Sequence, residues 1–321
     1  MNRSTSNPEL TAIEHLLSCP QSGERLRHDG DRLVSESGHF SYAIDENGIP
    51  LFAEEFCSTA ATIQQQHYDD IADAYTANLG YPHTIAYMEY LDRELAEVIG
   101  PGDLGTCAEL CCGKGEAFAL LGNKMSLGVG IDVSTSMLRN GKKATTNKQL
   151  HFVQGDATRL PLADGMFDSV VILGGIHHVP DRQALFSETF RILKPGGVFI
   201  WREPLDDFWL WKALRAVVYR LSPMLDHLTE RPLTYDETAP VLQNVGFELQ
   251  EWKSCGFAGF CIFMNSDVLF VNRLFRFVPG IRAITVAFAR FDKWCTSLPG
   301  LKRAGLQVVG KATKPNSAGD S

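Results

Sequence analysis

The feature that most constrains the fold of this chain is a series of short apolar runs that alternate with helical patterns between residues 62 and 205. Four of these runs are LGVGID (127–132), HFVQGD (151–156), FDSVVILGG (167–175) and GVFIWRE (197–203). Apolar runs of this length between helical patterns are typical of strands joined by crossover connections, which place the strands parallel. The sequence therefore predicts an α/β fold with a parallel sheet.

Capping residues predict where several helices begin. Ser134 and Asp181 each precede a helical pattern, and TYDE at 234–237 has the spacing of a capping box. The helices predicted from these caps cover about 135–144, 182–193 and 235–246.

The composition indicates a large core and an acidic charge balance. Apolar residues make up 45% of the 321 residues, and the formal net charge is −8. This charge disfavours a general nucleic-acid-binding surface. Residues 1–17 lack the apolar core of a signal peptide, and no apolar run reaches the roughly 18 residues that span a bilayer. We expect a cytoplasmic protein.

The eight cysteines have the spacing of neither a disulfide framework nor a zinc site. None forms a CxxC pair, and Cys111 and Cys112 are adjacent. We expect reduced, mostly buried thiols and no bound metal.

Polar and glycine residues follow the predicted strands where a ligand-binding edge is expected. In CAELCCGKGE (107–116), a strand ending at Glu109 and Leu110 runs into a glycine-containing loop before a helix. Glycines allow close backbone approach to a ligand, and a helix N-terminus favours a negative group. Asp132 ends the next strand, 19 residues after Gly113, where an acidic side chain accepts hydrogen bonds from ribose hydroxyls.

Two further strand ends belong to the same edge. Asp156 follows the third strand, and His177 and His178 follow the fourth. Open α/β sheets bind ligands at the carboxyl ends of their strands. A dinucleotide cofactor is the main alternative, but the third glycine of its GxGxxG fingerprint would be at position 118, which is Phe118.

An ordered set of motifs runs along residues 65–205: ELCCGKGE, GIDVS, QGDATRLPLADGMFDSVV, GIHHVPD and FRILKPGGVFIWREP. This set resembles the class I S-adenosylmethionine (SAM)-dependent methyltransferases, in the group that includes the ubiquinone and menaquinone C-methyltransferases. The resemblance implies a Rossmann-like seven-stranded sheet with helices on both faces and SAM as the cofactor. The segment HYDDIADAYTANL (67–79) is similar to the helix that closes over the cofactor in that group.

The resemblance also implies which residues contact the cofactor. They are Tyr68, Tyr75, Glu109, Leu110, Cys111, Gly113, Gly115, Asp132, Val133, Met137, Asp156, Ala157, Leu173 and His178. Glu109 and the glycine loop are implied at the methionine portion, Asp132 at the ribose, and Asp156 with Ala157 at the adenine. Cys111 departs from the family, which usually has its first glycine at this position, and brings a thiol towards the cofactor.

Several of these residues have structural alternatives. Tyr68 and Tyr75, implied near the amino-acid end of the cofactor, are seven residues apart and could be plain core on one helix face. Asp132 could cap a helix, although Ser134 can provide that cap. Asp156 could instead make a local turn bond.

Candidate general bases follow the fourth and fifth strands: His177, His178, Glu203 and Asp206. The sulfonium already activates the methyl group, so the protein mainly aligns the acceptor. An oxygen or carbon acceptor of high pKa also needs a base, a role that suits histidine. A histidine after this strand can also line the cofactor pocket, so the sequence leaves the identity of the base open.

Residues 1–56 are polar, with short strand-like pieces and turn signals. LLSCPQSGERL and HFSYAIDENGIPLF resemble the small zinc-ribbon-like modules of the Trm112 type, which accompany or precede methyltransferase domains. The metal-binding form has a second cysteine soon after Cys-Pro, where this chain has Gln21, Ser22 and Gly23. We expect a metal-free module that packs on the catalytic domain. The predicted divisions are this module at 1–56, a SAM-binding core at 57–205, cap helices and last strands at 206–313, and a disordered tail at 314–321.

Two insertions rich in Phe, Trp, Leu and Arg, at 206–232 and 257–300, follow the fifth and sixth strands. The sixth and seventh strands are predicted at FELQEW (247–252) and LQVVGKA (306–312). In this topology both insertions leave the sheet at its carboxyl edge and would cover the acceptor.

These insertions suggest the kind of partner. A pocket lined by Trp209, Trp211, Phe260 and Phe263 would suit a small hydrophobic or aromatic acceptor. Within 257–300, residues 270–294 interleave Phe with Arg, which favours peripheral contact with anionic lipid at the inner face of the membrane. An ordinary core with solvated arginines is the alternative.

The sequence therefore favours a SAM-dependent methyltransferase acting on an oxygen or carbon atom of a hydrophobic small molecule or lipid-like acceptor. The alternative is an RNA methyltransferase, suggested by the front module but opposed by the acidic balance and the missing ribbon cysteines. A third hypothesis is a SAM-binding partner protein without turnover, for which the Cys111 substitution is the only support. The sequence gives no strong nucleic-acid signal and does not determine the oligomeric state.

Overall fold

The computed structural model describes residues 8–53, 80–214, 231–264 and 272–316, and its strands form one mixed sheet. The strands are β1 (Leu26–Asp29), β2 (Arg32–Ser35), β3 (Ser41–Ile44), β4 (Pro50–Leu51), β5 (Gly105–Leu110), β6 (Met125–Asp132), β7 (Leu150–Gln154), β8 (Phe167–Leu173), β9 (Leu193–Pro204), β10 (Glu248–Cys255) and β11 (Gln307–Thr313).

Helices cover both faces of this sheet. The described α-helices are α1 (Pro8–Ile13), α2 (Pro82–Ile99), α3 (Glu116–Leu121), α4 (Thr135–Ala144), α5 (Arg182–Ile192), α6 (Tyr235–Val245), α7 (Ala258–Phe263) and α8 (Ile281–Ser297). None of these helices combines the length and the apolar character needed to cross a membrane.

The seven central strands have the order β7-β6-β5-β8-β9-β11-β10. Strands β5 to β9 pair in parallel, and β11 is antiparallel to both β9 and β10. Because β5 lies between β6 and β8, the strand order reverses there and opens a crevice at the carboxyl ends of these strands. The predicted Rossmann-like, seven-stranded α/β fold is confirmed.

Strands β1 to β4 extend the same sheet. They pair antiparallel in sequence, and β4 joins β7 in parallel through Leu51 and Gln154. Buried side chains of this first part, including Leu33 and Tyr42, belong to one apolar cluster with residues of β5 and β8. The first part therefore packs directly on the central sheet. The predicted boundary at residue 56 lies outside the described residues and stays a prediction.

The predicted helix caps have different outcomes. Ser134 and Asp181 cap α4 and α5 through their side-chain oxygens, as expected. Thr234 makes no side-chain cap hydrogen bond, so the capping box is wrong although the helix is confirmed. Asp207 Oδ1 accepts from the backbone N–H of Tyr235 at 2.8 Å instead. The cap comes from a distant part of the chain, so local spacing could not reveal it.

The insertion between β10 and β11 leaves the sheet at its carboxyl edge. Cys255, which ends β10, pairs with Gln307 of β11, and Gln307 pairs with Pro204 at the end of β9. The insertion carries α7 and α8, and both helices pack against α2. This placement agrees with the expected topology.

The four side chains predicted to line an aromatic pocket differ in burial, and the pocket itself stays a prediction. Trp209 is 70% exposed, whereas Trp211 and Phe263 are buried. The indole N–H of Trp211 donates to the carbonyl of Ala304 at 2.7 Å. Phe263 and Phe260 pack against aromatic rings of α2 and α8. Phe260 and Phe263 therefore stabilise the helical layer formed by α2, α7 and α8 through aromatic contacts.

Asp292 of α8 is a fully buried carboxylate that holds this layer together. Its oxygens accept from the backbone N–H groups of Phe257, Gly259 and Phe260 at 2.8, 3.0 and 3.1 Å, and from the hydroxyl of Tyr87 on α2. Burial and the adjacent carboxylate raise the pKa of Tyr87. These donors replace water around the buried charge, which makes its burial tolerable.

We expect Asp292→Asn to lower the free energy of unfolding by about 2 to 3 kcal/mol, because an amide cannot accept from every donor around it. Urea unfolding followed by circular dichroism measures this change. The matched control is Asp236→Asn in the exposed first turn of α6, which should leave the unfolding free energy within about 0.5 kcal/mol. Equal stability of the two variants would contradict the assignment.

Candidate active site

The loop after β5 has an unusual backbone. Cys111, Gly113 and Gly115 have φ angles of +52°, +51° and +85°. Cys111 is the only non-glycine residue with positive φ among the described residues. Left-handed backbone is strained for a residue with a Cβ, so Cys111 adopts the conformation that glycine would adopt freely. The loop after β5 therefore turns tightly despite the cysteine.

The Cys111 thiol lies between two loops and among carboxylates. A Cβ on Gly175 would overlap the Cys111 side chain, so the loops after β5 and β8 are in contact. Burial raises the pKa of Cys111, and the charges of Asp132, Glu203 and Asp156 raise it further. The thiol is therefore protonated and a poor nucleophile. The same three carboxylates create a negative potential that suits a cationic ligand.

Asp132 connects the end of β6 to the loop after β5, residues 111–115, which we call the cofactor loop after its implied role. Its Oδ2 accepts from the N–H of Gly113 at 2.8 Å, and its Oδ1 accepts from the N–H of Ser134 at 2.9 Å. The helix cap belongs to Ser134, whose hydroxyl accepts from the N–H of Met137. A carboxylate has about four acceptor positions, enough to hold this loop and also accept from ligand hydroxyls.

Other implied cofactor residues surround this loop. Val133 is partly exposed, whereas Met137 and Leu173 are mostly buried. A Cβ on Gly113 would lie 3.3 Å from the Met137 Cε, so Met137 packs against the loop. Tyr68 and Tyr75 lie outside the described residues.

Asp156 makes the local turn bond that was its alternative role. Its Oδ1 accepts from the N–H and the hydroxyl of Thr158 at 2.8 and 2.7 Å. Ala157 is buried in the same turn. Contact of this turn with adenine stays a prediction.

Glu109 faces the interior. Its side chain is buried, and its oxygens accept from the N–H groups of Ala117 and Phe118 at 2.7 and 3.1 Å. Leu110 is also fully buried. Contact of Glu109 or Leu110 with the cofactor stays a prediction. Glu109 holds the start of α3, where its side-chain oxygens satisfy helix N–H groups that have no partner within the helix.

Burial raises the pKa of Glu109 to about 8. A folded-state pKa above the unfolded value of about 4.3 means that the folded protein binds the extra proton, so this contribution to stability is lost as pH rises through about 8. We expect the free energy of unfolding of Glu109→Gln to fall less between about pH 5 and 9 than that of the wild type. The difference reaches at most about 1.4 kcal/mol per pH unit. Urea unfolding across this range measures it, and parallel curves would contradict the role of Glu109.

Glu203 and His177 form a buried pair at the ends of β9 and β8. The Glu203 carboxylate is fully buried and lies 2.8 Å from the His177 Nδ1. It also accepts from the backbone N–H groups of Gly175, Ile176 and His177 at 2.7, 2.8 and 3.3 Å. The Glu203 carboxylate is thus hydrogen-bonded to the loop after β8. Its buried position suits orienting His177 and does not suit direct contact with an acceptor.

The remaining candidate bases lie nearby. The His178 ring is 3.8 Å from that of His177, centroid to centroid. The N–H of Asp206 donates to the carbonyl of Leu233. Glu203 orients the ring of His177, a pairing that the sequence could not show.

Arg202 is a buried cation beside the candidate site that the sequence analysis missed. It is buried on β9, and its guanidinium donates to Asp92 of α2 at 2.7 Å and to Glu116 of α3 at 2.6 Å. Its carbonyl accepts from the N–H of Gly174. Arg202 therefore joins α2 to the helix that follows the cofactor loop. The sequence signal that could have revealed Arg202 is the adjacent pair Arg202–Glu203, two charged residues at the end of an apolar strand.

Comparison with known proteins identifies relatives of the central sheet. The methyltransferase domain family matches residues 108–201. A demethylmenaquinone methyltransferase of Leptospira interrogans is 30% identical over 170 residues, covering 46% of this chain and 68% of that protein. The corresponding enzyme of Beutenbergia cavernae is 36% identical over 131 residues, covering 40% of this chain. The chain spans about half the length of that second relative, 54%.

Solved structures share the fold. A SAM-dependent methyltransferase of Thermotoga maritima has a TM-score of 0.52 and 20% identity, covering 78% of this chain and 99% of its own. The cyclase SpnF has a TM-score of 0.53 and 14% identity, covering 80% and 97%. Because a protein named as a cyclase shares this architecture, the reaction has to be argued from the site.

Proposed function

Because the chain belongs to the class I SAM-dependent methyltransferases, we propose that it transfers the methyl group of SAM to an oxygen or carbon atom of a hydrophobic, quinone-type aromatic acceptor. The named relatives support the acceptor class, since both are called demethylmenaquinone methyltransferases. The observation that carries the proposal is the buried Glu203–His177 pair, which lies at the same sheet edge as the cofactor loop.

The described residues fit SAM as the cofactor. When bound, SAM provides a methyl group activated by its sulfonium. Asp132 would accept from the ribose hydroxyls while its hydrogen bond to Gly113 holds the loop. The negative potential of Asp132, Asp156 and Glu203 would favour the sulfonium cation. The protonated Cys111 thiol would not compete with the acceptor for the methyl group.

His177 would act as the general base. Glu203 would accept a hydrogen bond from the Nδ1–H of His177, which leaves Nε2 as the basic nitrogen and stabilises the imidazolium that forms. Nε2 would take a hydroxyl proton from the acceptor, and the electron pair released would form the new bond to the methyl carbon, at oxygen or at a ring carbon, while the methyl–sulfur bond breaks and its electron pair goes to sulfur. For transfer to carbon, the proton of that ring carbon would then pass to water and the protonated His177 would return its proton to the oxygen, which restores the aromatic ring.

The proposed function is tested with the purified full-length protein and SAM labelled in its methyl group. The acceptors are a reduced naphthoquinone with an unsubstituted ring position and a cell extract, which is separated after reaction into organic, nucleic-acid and aqueous fractions. We expect label in the naphthol product and in the organic fraction. Label confined to RNA would replace the proposal with an RNA methyltransferase. SAM binding without transfer to any fraction would favour a non-catalytic partner protein.

A further inference from the structure

The exposed apolar side chains of this protein are concentrated on one insertion. Nine large hydrophobic side chains are exposed in the described ranges, and six of them fall between residues 274 and 294. These six are Leu274, Phe277, Val278, Ile284, Phe291 and Trp294. Scattered exposed hydrophobic residues are ordinary, whereas a concentration of them marks an interaction surface.

The helix α8 presents these residues as one stripe. At about 100° per residue, Ile284, Ala287, Phe291 and Trp294 fall within about 80° of arc, away from the side that buries Thr285. The Phe291 and Trp294 rings contact each other, with centroids 5.8 Å apart. Trp294 is 57% exposed, and Phe277, in the turn before the helix, is 69% exposed. We call these exposed residues of 274–294 the aromatic face.

The charge around this face is opposite to that of the whole protein. Residues 272–303 contain seven Lys or Arg and one acidic residue, the buried Asp292, although the formal net charge of the chain is −8. Glu89 pairs with Arg282 on the side of α8 that faces α2. No described carboxylate lies within ion-pair distance of Arg276 or Arg290, and Arg276 lies over the rings of Tyr81 and Phe277.

We propose that the aromatic face docks on an anionic lipid bilayer. Trp and Phe favour the headgroup boundary of a membrane, and nearby cations are attracted by anionic headgroups. A second copy of this chain fits less well, because a two-fold contact would bring the cations of one face against those of the other. The biological role of this docking rests on the proposed function, since a lipophilic acceptor resides in the bilayer. The insertion leaves the sheet at the edge that carries the cofactor loop.

The test is co-sedimentation of the full-length protein with vesicles of phosphatidylcholine, either alone or mixed with phosphatidylglycerol. We expect partitioning onto the mixed vesicles that is at least about tenfold stronger, because at least two cations face the headgroups. The double variant F291S/W294S should lower partitioning by more than about tenfold, since two aromatic rings leave the boundary. Equal binding to both vesicle types would overturn the proposal.

A second pair of variants separates charge from folding. R276Q/R290Q keeps the apolar stripe and should weaken binding to the mixed vesicles by about 30-fold. The matched control K143Q/K148Q removes two cations near β7, at the other end of the central strands, and should bind as the wild type does. Equal losses in the two charge variants would overturn the proposal. So would a change from dimer to monomer in F291S/W294S without a change in vesicle binding, which would identify a self-association surface.

Vesicle binding is measured without SAM or acceptor, so its failure is distinct from failure of the proposed function. Calorimetric SAM binding by each variant shows that the site is intact. If the protein binds vesicles but transfers no methyl group to any acceptor, the proposed function fails and the docking surface stands.

Discussion

Glu203→Gln should lower kcat for methyl transfer by about 100-fold or more while SAM affinity changes by less than about threefold. Glutamine can still accept from the N–H groups of Gly175 and Ile176, so the loop after β8 retains its main support. Its neutral amide neither favours the Nδ1–H tautomer of His177 nor stabilises the imidazolium, which removes the base. Transfer to a reduced naphthoquinone measures kcat, and calorimetry measures SAM binding.

A second variant separates this role from a structural one. His177→Asn should be as slow as Glu203→Gln, and the double variant no slower, since the two residues act as one unit. The matched control is Glu188→Gln on α5, whose carboxylate also accepts a backbone N–H, and its kcat should not change. A larger loss in His178→Asn than in His177→Asn would contradict the assignment.

Asp132→Ala should weaken SAM binding by about 100-fold. Hydrogen bonds to a charged acceptor contribute roughly 1.5 to 3 kcal/mol each, and the substitution removes the proposed ribose acceptors together with the bond that holds Gly113. Asp132→Asn keeps one acceptor oxygen and should weaken SAM binding by only about tenfold. Calorimetric titration with SAM measures both changes.

The control for Asp132→Ala is a variant that lowers stability without touching the SAM site. Asp181→Ala removes the N-cap of α5 and should lower the free energy of unfolding by about 1 kcal/mol without changing SAM affinity. An Asp132→Ala variant that binds SAM as tightly as the wild type would place the ribose on another residue.

The sequence predicted the parts of the fold that depend on local pattern. The strand at Phe167–Leu173 was predicted because a parallel strand buried on both faces is a continuous apolar run. The α4 cap was predicted because Ser134 and the amide it accepts from are three residues apart. The ends of the parallel strands share one edge of the sheet, so Asp132, Cys111 and His177 could be assigned to it without coordinates.

Side-chain roles at that edge were less predictable. Glu109 and Asp132 both end strands in the sequence, yet Glu109 is buried under α3 and Asp132 contacts the loop. Which way such a side chain faces depends on the helix packed next to it. The sequence also could not predict that Trp209 is exposed and Trp211 buried, because both lie in one apolar insertion.

The sequence by itself determined the α/β class, the positions of the central strands and of three helices, the cofactor loop and the edge at which the site lies. These properties follow from periodicity and from spacings of a few residues, which the chain carries locally. Only the tertiary structure decided that Glu203 pairs with His177, that Arg202 joins α2 to α3, and that Asp292 closes the helical layer. Each of these contacts joins residues at least 26 positions apart, and packing of the elements brings the partners together.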